Sequence, residues 1–420
     1  MVSRVCSLRA VRLLTPACLL CVLLAAGCAV NPYIKSHQQY FSGDPAAAEQ
    51  TLTLEAQKEA TKDGKWKNLY LWDLGIYQFN QGKYKEAIDS FKASVLDRER
   101  MYGTGETVKT VALKSSSSSK YLGDPVEVSV AYLYLGFSYL LRGDLENCLV
   151  AFRRSTEEDL SEDEQRIGDM AITNYMMGEC YLRTQQPDDA IVAFRRALAS
   201  SPDFVPAYIG MLHAAGQNKD LSTQEFARAE MAKRLSPEYL AQLDSQSSQG
   251  IVVVLANDVP DFVSKDMWVG MFRKREEVAS NIGRWQLRIE QAVTPVAMSQ
   301  ADHMHTHFKD QGGFQGETTR QLAKAAMGQG LKRLGLGFLA PNTDADIRYW
   351  STMPGRFHVG YLPIAPGTYN VSLQCFDKKD KEFTTLGRQW SGVVVQDGQR
   401  AILIANSFVK ADTKQISVSN

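Results

Sequence analysis

The chain has 420 residues, 44% of them hydrophobic and 22% charged, a composition typical of globular rather than disordered proteins. Its 47 basic residues balance 47 acidic ones, so no excess of positive charge indicates a nucleic-acid partner. Of its cysteines, Cys148, Cys180 and Cys375 are the ones that follow residue 28. Because they are three in number and lack a CxxC spacing, we predict small buried hydrophobes rather than a disulfide framework or a zinc knuckle.

Residues 1–27 have the pattern of a secretory signal peptide. Three arginines precede an apolar run over 13–24, which is too short to span a membrane, and small residues follow it. The stretch Ala25-Ala26-Gly27-Cys28 resembles a bacterial lipobox. That resemblance implies cleavage after Gly27 and acylation of Cys28, palmitate included. An ordinary signal peptide cleaved nearby is the alternative.

An acylated Cys28 would anchor the chain without a membrane-spanning helix. Ala29 follows the cysteine, at the place where an aspartate commonly signals retention at the inner membrane. The resemblance therefore implies the outer membrane of a Gram-negative-type bacterium, with the chain facing the periplasm. Removal of residues 1–27 leaves 44 basic and 47 acidic residues, a net charge of −3 that favours no class of partner.

The middle of the chain contains internal repeats. Each of three copies has a glycine followed 16 residues later by a phenylalanine, in the pairs Gly75–Phe91, Gly136–Phe152 and Gly178–Phe194. This skeleton resembles the tetratricopeptide repeat (TPR), a hairpin of two helices. We predict that each glycine lets the two helices approach closely and that the phenylalanine ring fills the space between them.

The predicted repeat domain covers residues 28–240. A degenerate leading repeat is expected over 40–60, and a weaker last copy begins near 204, with its second helix over 223–235. An insert over about 97–128 separates the first two regular copies and contains the flexible stretch KSSSSSK.

In this repeat class the first helices line a concave groove. The register predicts eight apolar or aromatic groove residues: Trp72, Ile76, Phe79, Leu133, Phe137, Leu140, Tyr175 and Leu182. Contiguous apolar surface of this kind marks an interaction site. Two interpretations follow. The chain covers its own groove with the insert, the N-terminal helix or the downstream domain, or else an apolar helix or peptide of a partner binds there.

The composition changes at the linker predicted over 241–250, and apolar residues then follow the period of two typical of strands. Strands are predicted within 250–257, 285–289, 357–361, 369–373, 392–398 and 401–406, with one helix over 317–335. The predicted fold class is therefore multidomain: an all-α TPR-type helical repeat array, followed over 251–420 by a β-rich α+β domain with a mainly antiparallel sheet.

Three stretches of this second half, VVLANDV, DADIRYWSTMP and LPIAPGTY, resemble a family of uncharacterised bacterial lipoproteins whose N-terminal halves carry TPR-type repeats. Asp346, Arg348, Trp350 and Pro354 match its pattern. The turn at 258–260 departs from it, since a glycine-containing turn is usual there. The resemblance implies no established activity. Arg348 and Trp350 are interpreted as a structural pair, with an exposed recognition surface as the alternative.

His303, His305 and His307 form the one candidate for chemistry. On a strand these three would share a face, and with Asp302 or Asp310 they could bind a metal ion, whereas a loop would lose that geometry. The sequence contains neither GxSxG nor HExxH, and 328–337 lacks the third glycine of a dinucleotide fingerprint. We predict no metal, no cofactor and no catalytic residue.

The resulting hypothesis is a non-enzymatic, outer-membrane-anchored scaffold or assembly factor. It would bind proteins of an envelope, secretion or export machine through the TPR groove. No small-molecule substrate is predicted. The alternatives are a metal-dependent envelope hydrolase that uses the three histidines and a lipoprotein that binds glycan.

Overall fold

The computed structural model describes residues 31–62, 64–105, 120–158, 170–246, 248–258, 262–265, 273–276, 280–290, 295–310, 333 and 349–407. The predicted signal peptide, its lipidation site Cys28, and two residues of the family pattern, Asp346 and Arg348, lie outside these ranges. So does the helix predicted over 317–335, apart from Arg333. Among the described residues, no helix combines the length and apolarity needed to cross a bilayer.

The N-terminal part is a series of helices in which each packs against the next. They are α1 (Pro32–Phe41), α2 (Pro45–Thr61), α3 (Lys67–Asn80), α4 (Tyr84–Gly103), α5 (Pro125–Leu141), α6 (Leu145–Glu158), α7 (Ala171–Arg183), α8 (Pro187–Ser200), α9 (Val205–Asn218), α10 (Leu221–Ala232) and α11 (Pro237–Gln246). The predicted helical repeat array is confirmed, with hairpins α3–α4, α5–α6 and α7–α8 as its regular copies.

The glycine–phenylalanine pairs hold each hairpin together as the sequence predicts. A Cβ atom added at Gly75 would lie 2.6 Å from the Phe91 ring, and one at Gly136 would lie 2.3 Å from Phe152. Such distances are too short for real side chains. Only glycine therefore lets the second helix of each hairpin come this close.

Local sequence signals set the helix ends. The carboxylate of Asp44 accepts a hydrogen bond from Ala47 N, and Pro45 starts α2. Gly82 and Gly143 have φ of 73° and 76° at the turns inside two hairpins, a backbone conformation that favours glycine. These residues end one helix and direct the chain into the next.

Two boundaries differ from the sequence prediction. Helix α4 continues to Gly103 and α5 begins at Pro125, so the insert predicted over 97–128 is helical at both ends. Helix α11 continues to Gln246, so most of the linker predicted over 241–250 is helical. In the linker, exposed polar helix surface resembles a loop in the sequence, because solvent-facing helical residues carry no apolar period. In the insert, Arg98 and Glu127 are charged but buried, so their composition does not indicate a packed helix.

The described strands are β1 (Gly250–Asn257), β2 (Phe262–Lys265), β3 (Arg273–Glu276), β4 (Ile282–Ile289), β5 (Val296–Ala297), β6 (Ser299–His303), β7 (Arg356–Pro363), β8 (Gly367–Asp377), β9 (Arg388–Val395) and β10 (Arg400–Asn406), with helix α12 (Met304–Asp310) after β6. One sheet has the order β10-β1-β7-β6 and the other β5-β4-β8-β9, while β2 pairs with β3. Within these pairings only β1–β10 is parallel, as the predicted mainly antiparallel sheet requires.

The described parts of the molecule form three layers. Along β1, Val252 and Val254 face the helical repeats, whereas Ile251 and Val253 face the second sheet. All eight residues of β1 are buried, because both faces of its sheet are covered. The sheet that contains β1 therefore lies between the repeats and the second sheet.

Candidate functional site in the repeat groove

The chain's own C-terminal domain fills the groove. All eight predicted groove residues are at most 8% exposed. The covering layer is the face of the first sheet that carries Phe357, Val359 and Ile402, together with the segment just before β7. The prediction of a groove that receives a partner is therefore corrected. Of the two interpretations, the structure shows coverage by the downstream domain.

Trp350 fills the centre of this interface. Its side chain is fully buried, and its ring centroid lies 5.2 Å from that of Trp72 on α3 and 6.4 Å from those of Phe91 and Tyr134. Tyr121, at the end of the predicted insert, packs edge-on against Trp72 at 6.0 Å. Such aromatic clusters bury large areas and fix ring orientation. The prediction of a structural Trp350 agrees with this position.

Buried carboxylates hold the segment around Trp350. The Trp350 backbone N–H donates to Glu127 Oε1 at 3.0 Å. The indole Nε1–H donates to Thr352 Oγ1 at 2.8 Å, and that hydroxyl donates to Asp73 Oδ1 at 2.5 Å. Glu127 and Asp73 are fully buried. The groove therefore holds a short turn, closed by a hydrogen bond from Met353 N to the Trp350 carbonyl, through a backbone N–H and a side-chain hydroxyl.

The N-terminal helix joins the same network. His37 Nε2 lies 3.1 Å from Asp73 Oδ2 and 2.7 Å from Ser351 Oγ. Burial lowers the pKa of His37, but the Asp73 carboxylate outweighs burial, and the pKa is raised above its ordinary 6.5. When it is protonated, His37 offsets the charge of the buried Asp73 carboxylate.

A second chain of hydrogen bonds crosses the interface at β10. The Tyr134 hydroxyl donates to Asn406 Oδ1 at 2.6 Å, and Asn406 Nδ2 donates to Asn80 Oδ1 at 2.8 Å. Asn80 Nδ2 then donates to the Tyr40 hydroxyl at 2.9 Å. Helices α1, α3 and α5 are therefore linked to the last described strand by paired side chains.

A buried ion pair forms a third contact. Arg400 Nη1 on β10 lies 2.7 Å from Glu179 Oε1 on α7. Arg400 also donates to the Ile209 carbonyl at 3.2 Å and lies 4.8 Å above the Tyr361 ring. Although burial lowers the pKa of Arg400, the Glu179 carboxylate outweighs it and raises that pKa. The guanidinium is thus charged, with the Glu179 carboxylate and the Ile209 carbonyl as acceptors. Arg183, at the end of α7, donates to the Arg400 carbonyl at 2.6 Å.

Asp302 forms the fourth contact and belongs to the predicted histidine cluster. Its two carboxylate oxygens accept hydrogen bonds from Ala171 N at 2.9 Å and Ile172 N at 2.6 Å. These are the first N–H groups of α7, whose own N-cap residue Met170 supplies no side-chain bond. The sheet domain therefore caps a helix of the repeat array.

The three histidines do not share a face. His303 ends β6, and the chain then turns into α12, which carries His305 and His307. His307 Nε2 lies 2.8 Å from Asp302 Oδ1, and Asp302 is already bound to α7. Among the described residues, no group of three or more His, Cys, Asp or Glu side chains is placed to hold a metal ion. The alternative metal site therefore lacks its geometry here.

A polar cleft of about 430 Å³ lies where the first ends of β4 and β7 meet the last ends of β1 and β6. Its lining includes Arg356, Lys378 and His358. Asn257 and Trp285 also line it, and within the described part of the chain Asn257 Nδ2 and Trp285 Nε1 are buried without an acceptor. Asp258, which pairs with Arg356, also lines the cleft. In the sequence, the feature that lies at this cleft is the unusual turn after VVLAN, which begins at Asp258.

The polar residues that carry the interface lie outside the predicted groove set. Asp73, Glu127 and Glu179 lie on the first helices of successive repeats, within one or two turns of the apolar stripe. In the sequence, these three residues could be recognised as charged side chains at positions that a repeat normally buries. A buried charge requires a partner. That partner is Arg400 for Glu179, and it lies 221 residues further along the chain.

Comparison with known proteins agrees with the repeat assignment. A family model described as tetratricopeptide repeat matches residues 173–203, which contain α7 and α8. No curated protein sequence matches the chain.

Among solved structures, the tetratricopeptide repeat protein from Parabacteroides merdae is similar, with 18% identity over 50% of this chain and 68% of its own, at a TM-score of 0.36. MamA 41-end from Desulfovibrio magneticus RS-1 is 16% identical over 51% of this chain and 93% of its own, at a TM-score of 0.34. The TPR2AB domain of yeast Sti1 complexed with pHSP90 is 14% identical over 48% of this chain and 74% of its own, at a TM-score of 0.22. By its own helical hairpins and strands, and by the repeat matched at 173–203, the chain is a helical array of TPR type followed by a β-rich α+β region.

Proposed function

We propose that this chain is a non-enzymatic envelope lipoprotein in which the repeats and the C-terminal domain act as one rigid scaffold for protein partners. Cys28 would carry the lipid anchor at the outer membrane, and the partners would belong to an envelope assembly, secretion or export machine. The observation that carries the proposal is the groove interface, built from Trp350, Arg400, Asp302 and Asn406. A TPR groove filled in this way presents outer surfaces, rather than the groove, to a partner.

The outer face of the repeats offers an apolar position for such contacts. Val150 on α6 and Val192 on α8 occupy equivalent positions in successive repeats and are 51% and 50% exposed. Val394 on β9 is similarly exposed, at 57%, but lies on the second sheet. Single exposed valines are common on protein surfaces, so their role needs a direct comparison.

The test is crosslinking and capture of the intact lipoprotein from membranes. The Val150→Glu, Val192→Glu double variant is compared with Val394→Glu and with wild type, and unfolding curves confirm that all three fold. We expect one envelope protein to be captured by wild type and Val394→Glu and lost in the double variant. Equal capture by all three would contradict the use of this face. A Cys28→Ser variant that still labels with a palmitate analogue would contradict the anchor.

A second function, glycan binding, is favoured by the charge of the polar cleft. Its lining has three basic side chains, Arg284, Arg356 and Lys378, and one acidic side chain, Asp258, which pairs with Arg356. This excess of positive charge matches a ligand rich in acceptor oxygens, such as a carboxylate-bearing glycan. The test is cosedimentation with purified peptidoglycan sacculi, comparing Lys378→Glu in the cleft with Lys379→Glu beside it. Reduced binding by the first variant alone supports the site, whereas no binding by wild type removes this candidate.

A further inference from the structure

Two buried cysteines meet at the junction between successive repeats. Cys148 lies on α6 and Cys180 on α7, and both are fully buried. Their sulfur atoms are 3.0 Å apart. A disulfide needs a separation of about 2.05 Å, so an approach of roughly 1 Å would form the bond. Cys375, the other cysteine of the described residues, is buried on β8 in the second sheet.

The repeat pattern shows which residues occupy the two cysteine positions in the neighbouring repeats. Cys148 takes the small-residue position that Ala87 and Ala190 occupy in the neighbouring repeats. Cys180 follows its repeat glycine by two residues, where the previous repeat has Ser138. Packing therefore requires only a small side chain at position 148. At the junction between α6 and α7, each helix nevertheless contributes a cysteine. Spacing along the chain does not pair these two cysteines, because 31 residues separate them and they meet only when α6 packs against α7.

We propose that Cys148 and Cys180 form a disulfide that fastens α6 to α7 in the exported protein. This inference rests on the proposed envelope location, because disulfides persist in oxidising compartments and are rare in the cytosol.

Formation of the bond removes one proton from each thiol and two electrons in total. A disulfide-bearing oxidant of the envelope accepts them and is reduced to two thiols. The reaction passes through a mixed disulfide between that oxidant and one of the two cysteines.

The bond has to form before the repeats close. Both sulfur atoms are buried, and burial raises the pKa of the Cys148 thiol well above its ordinary value. Little reactive thiolate is therefore present in the folded protein, and an oxidant has no access to it. Once formed, the bond would constrain the unfolded chain across residues 149–179 and resist reduction for the same reason of access.

The test counts thiols in the full-length protein. Cells are quenched with acid, and the lipoprotein is denatured and alkylated with N-ethylmaleimide before and after reduction. We expect one adduct before reduction, on Cys375, and adducts on all three cysteines after it. Peptide mapping should recover a linked peptide that contains Cys148 and Cys180. Cys148→Ala, which has the residue of the neighbouring repeats, should show two adducts without reductant, and Cys375→Ala none.

Three adducts before reduction would overturn the proposal, and a second arm identifies the reason. The detergent-solubilised full-length protein is reduced, unfolded in guanidinium chloride and refolded in mixed oxidised and reduced glutathione. If the linked peptide forms there but not in cells, the envelope location is wrong. If it forms in neither, the pairing itself is wrong. Cys28 is mapped separately, so its acylation does not affect the count.

Discussion

Arg400 on β10 and Glu179 on α7 form an ion pair in which the two side chains are 4% and 1% exposed. This pair joins the last described strand to the middle of the repeat array. A charge buried this deeply is tolerated only with its partner. The position of the C-terminal sheet in the groove is therefore fixed by paired polar groups as well as by apolar contact.

Loss of one member of this pair should be costly. We expect Arg400→Met to lower the free energy of unfolding by about 3–5 kcal/mol, because Glu179 is left buried and uncompensated. Adding Glu179→Gln should recover part of that loss. Arg228→Met is the control, since the Arg228–Asp244 pair is more than half exposed and should contribute less than about 1 kcal/mol. Urea unfolding measures all four proteins, and equal losses for the two arginines would contradict the assignment.

Trp350 should be the main apolar contact of the filled groove. We expect Trp350→Ala to cost about 3–5 kcal/mol, because it leaves a cavity between Trp72, Phe91 and Tyr134. Trp350→Phe keeps most of the ring but loses the hydrogen bond to Thr352, so its cost should be smaller. Urea unfolding gives the energies, and small-angle X-ray scattering reports whether the two parts separate. An unchanged stability of Trp350→Ala would show that the segment does not hold the domains together.

Asp302 should act as the cap of α7 rather than as a metal ligand. Asp302→Ala is expected to cost about 0.5–2 kcal/mol, since two N–H groups of α7 lose their acceptor. Asp302→Asn retains an acceptor oxygen and should cost less. The neighbouring exposed Thr306→Ala should change stability by at most about 0.5 kcal/mol. Thermal unfolding with and without a chelator is the measurement, and a chelator effect in wild type that Asp302→Ala abolishes would favour the metal alternative.

Two histidines, His213, which is buried, and His358, which is partly buried, should make the fold sensitive to acid. Burial lowers the pKa of His358 to about 3, with Arg356 and His303 adding to the effect. Burial and the Arg400 charge lower that of His213 to about 3. Below pH 6.5 the unfolded chain binds protons that the folded chain does not, so each histidine reduces stability as the pH falls from about 6.5 towards 3.

The measurement is urea unfolding at several pH values. In His358→Gln and His213→Gln the decline between pH 6.5 and 4 should be shallower than in wild type. His37 has the opposite sign, since its pKa is raised. Its contribution is present below pH 6.5 and is lost as the pH rises through its folded-state pKa. A His37→Gln variant should therefore differ from wild type most at acidic pH, and an unchanged slope in all three variants would contradict these assignments.

The amino-acid sequence by itself determined the repeat hairpins, most strands and the change of fold class near residue 250. These features depend on local spacing, such as the 16-residue interval between Gly75 and Phe91, which directly reflects the geometry of a helical hairpin. It also showed that the groove needed a cover, because an apolar stripe on first helices cannot remain in water.

Only the tertiary structure decided what covers it. Trp350 reaches Trp72, Asp302 reaches Ala171 and Arg400 reaches Glu179 across gaps of more than a hundred residues, and no periodicity within one segment encodes such pairings. The histidine spacing was ambiguous for the same reason, since the change from β6 to α12 at Met304 depends on packing against the repeats. Local patterns specify elements, whereas buried charges acquire their partners only when distant elements meet.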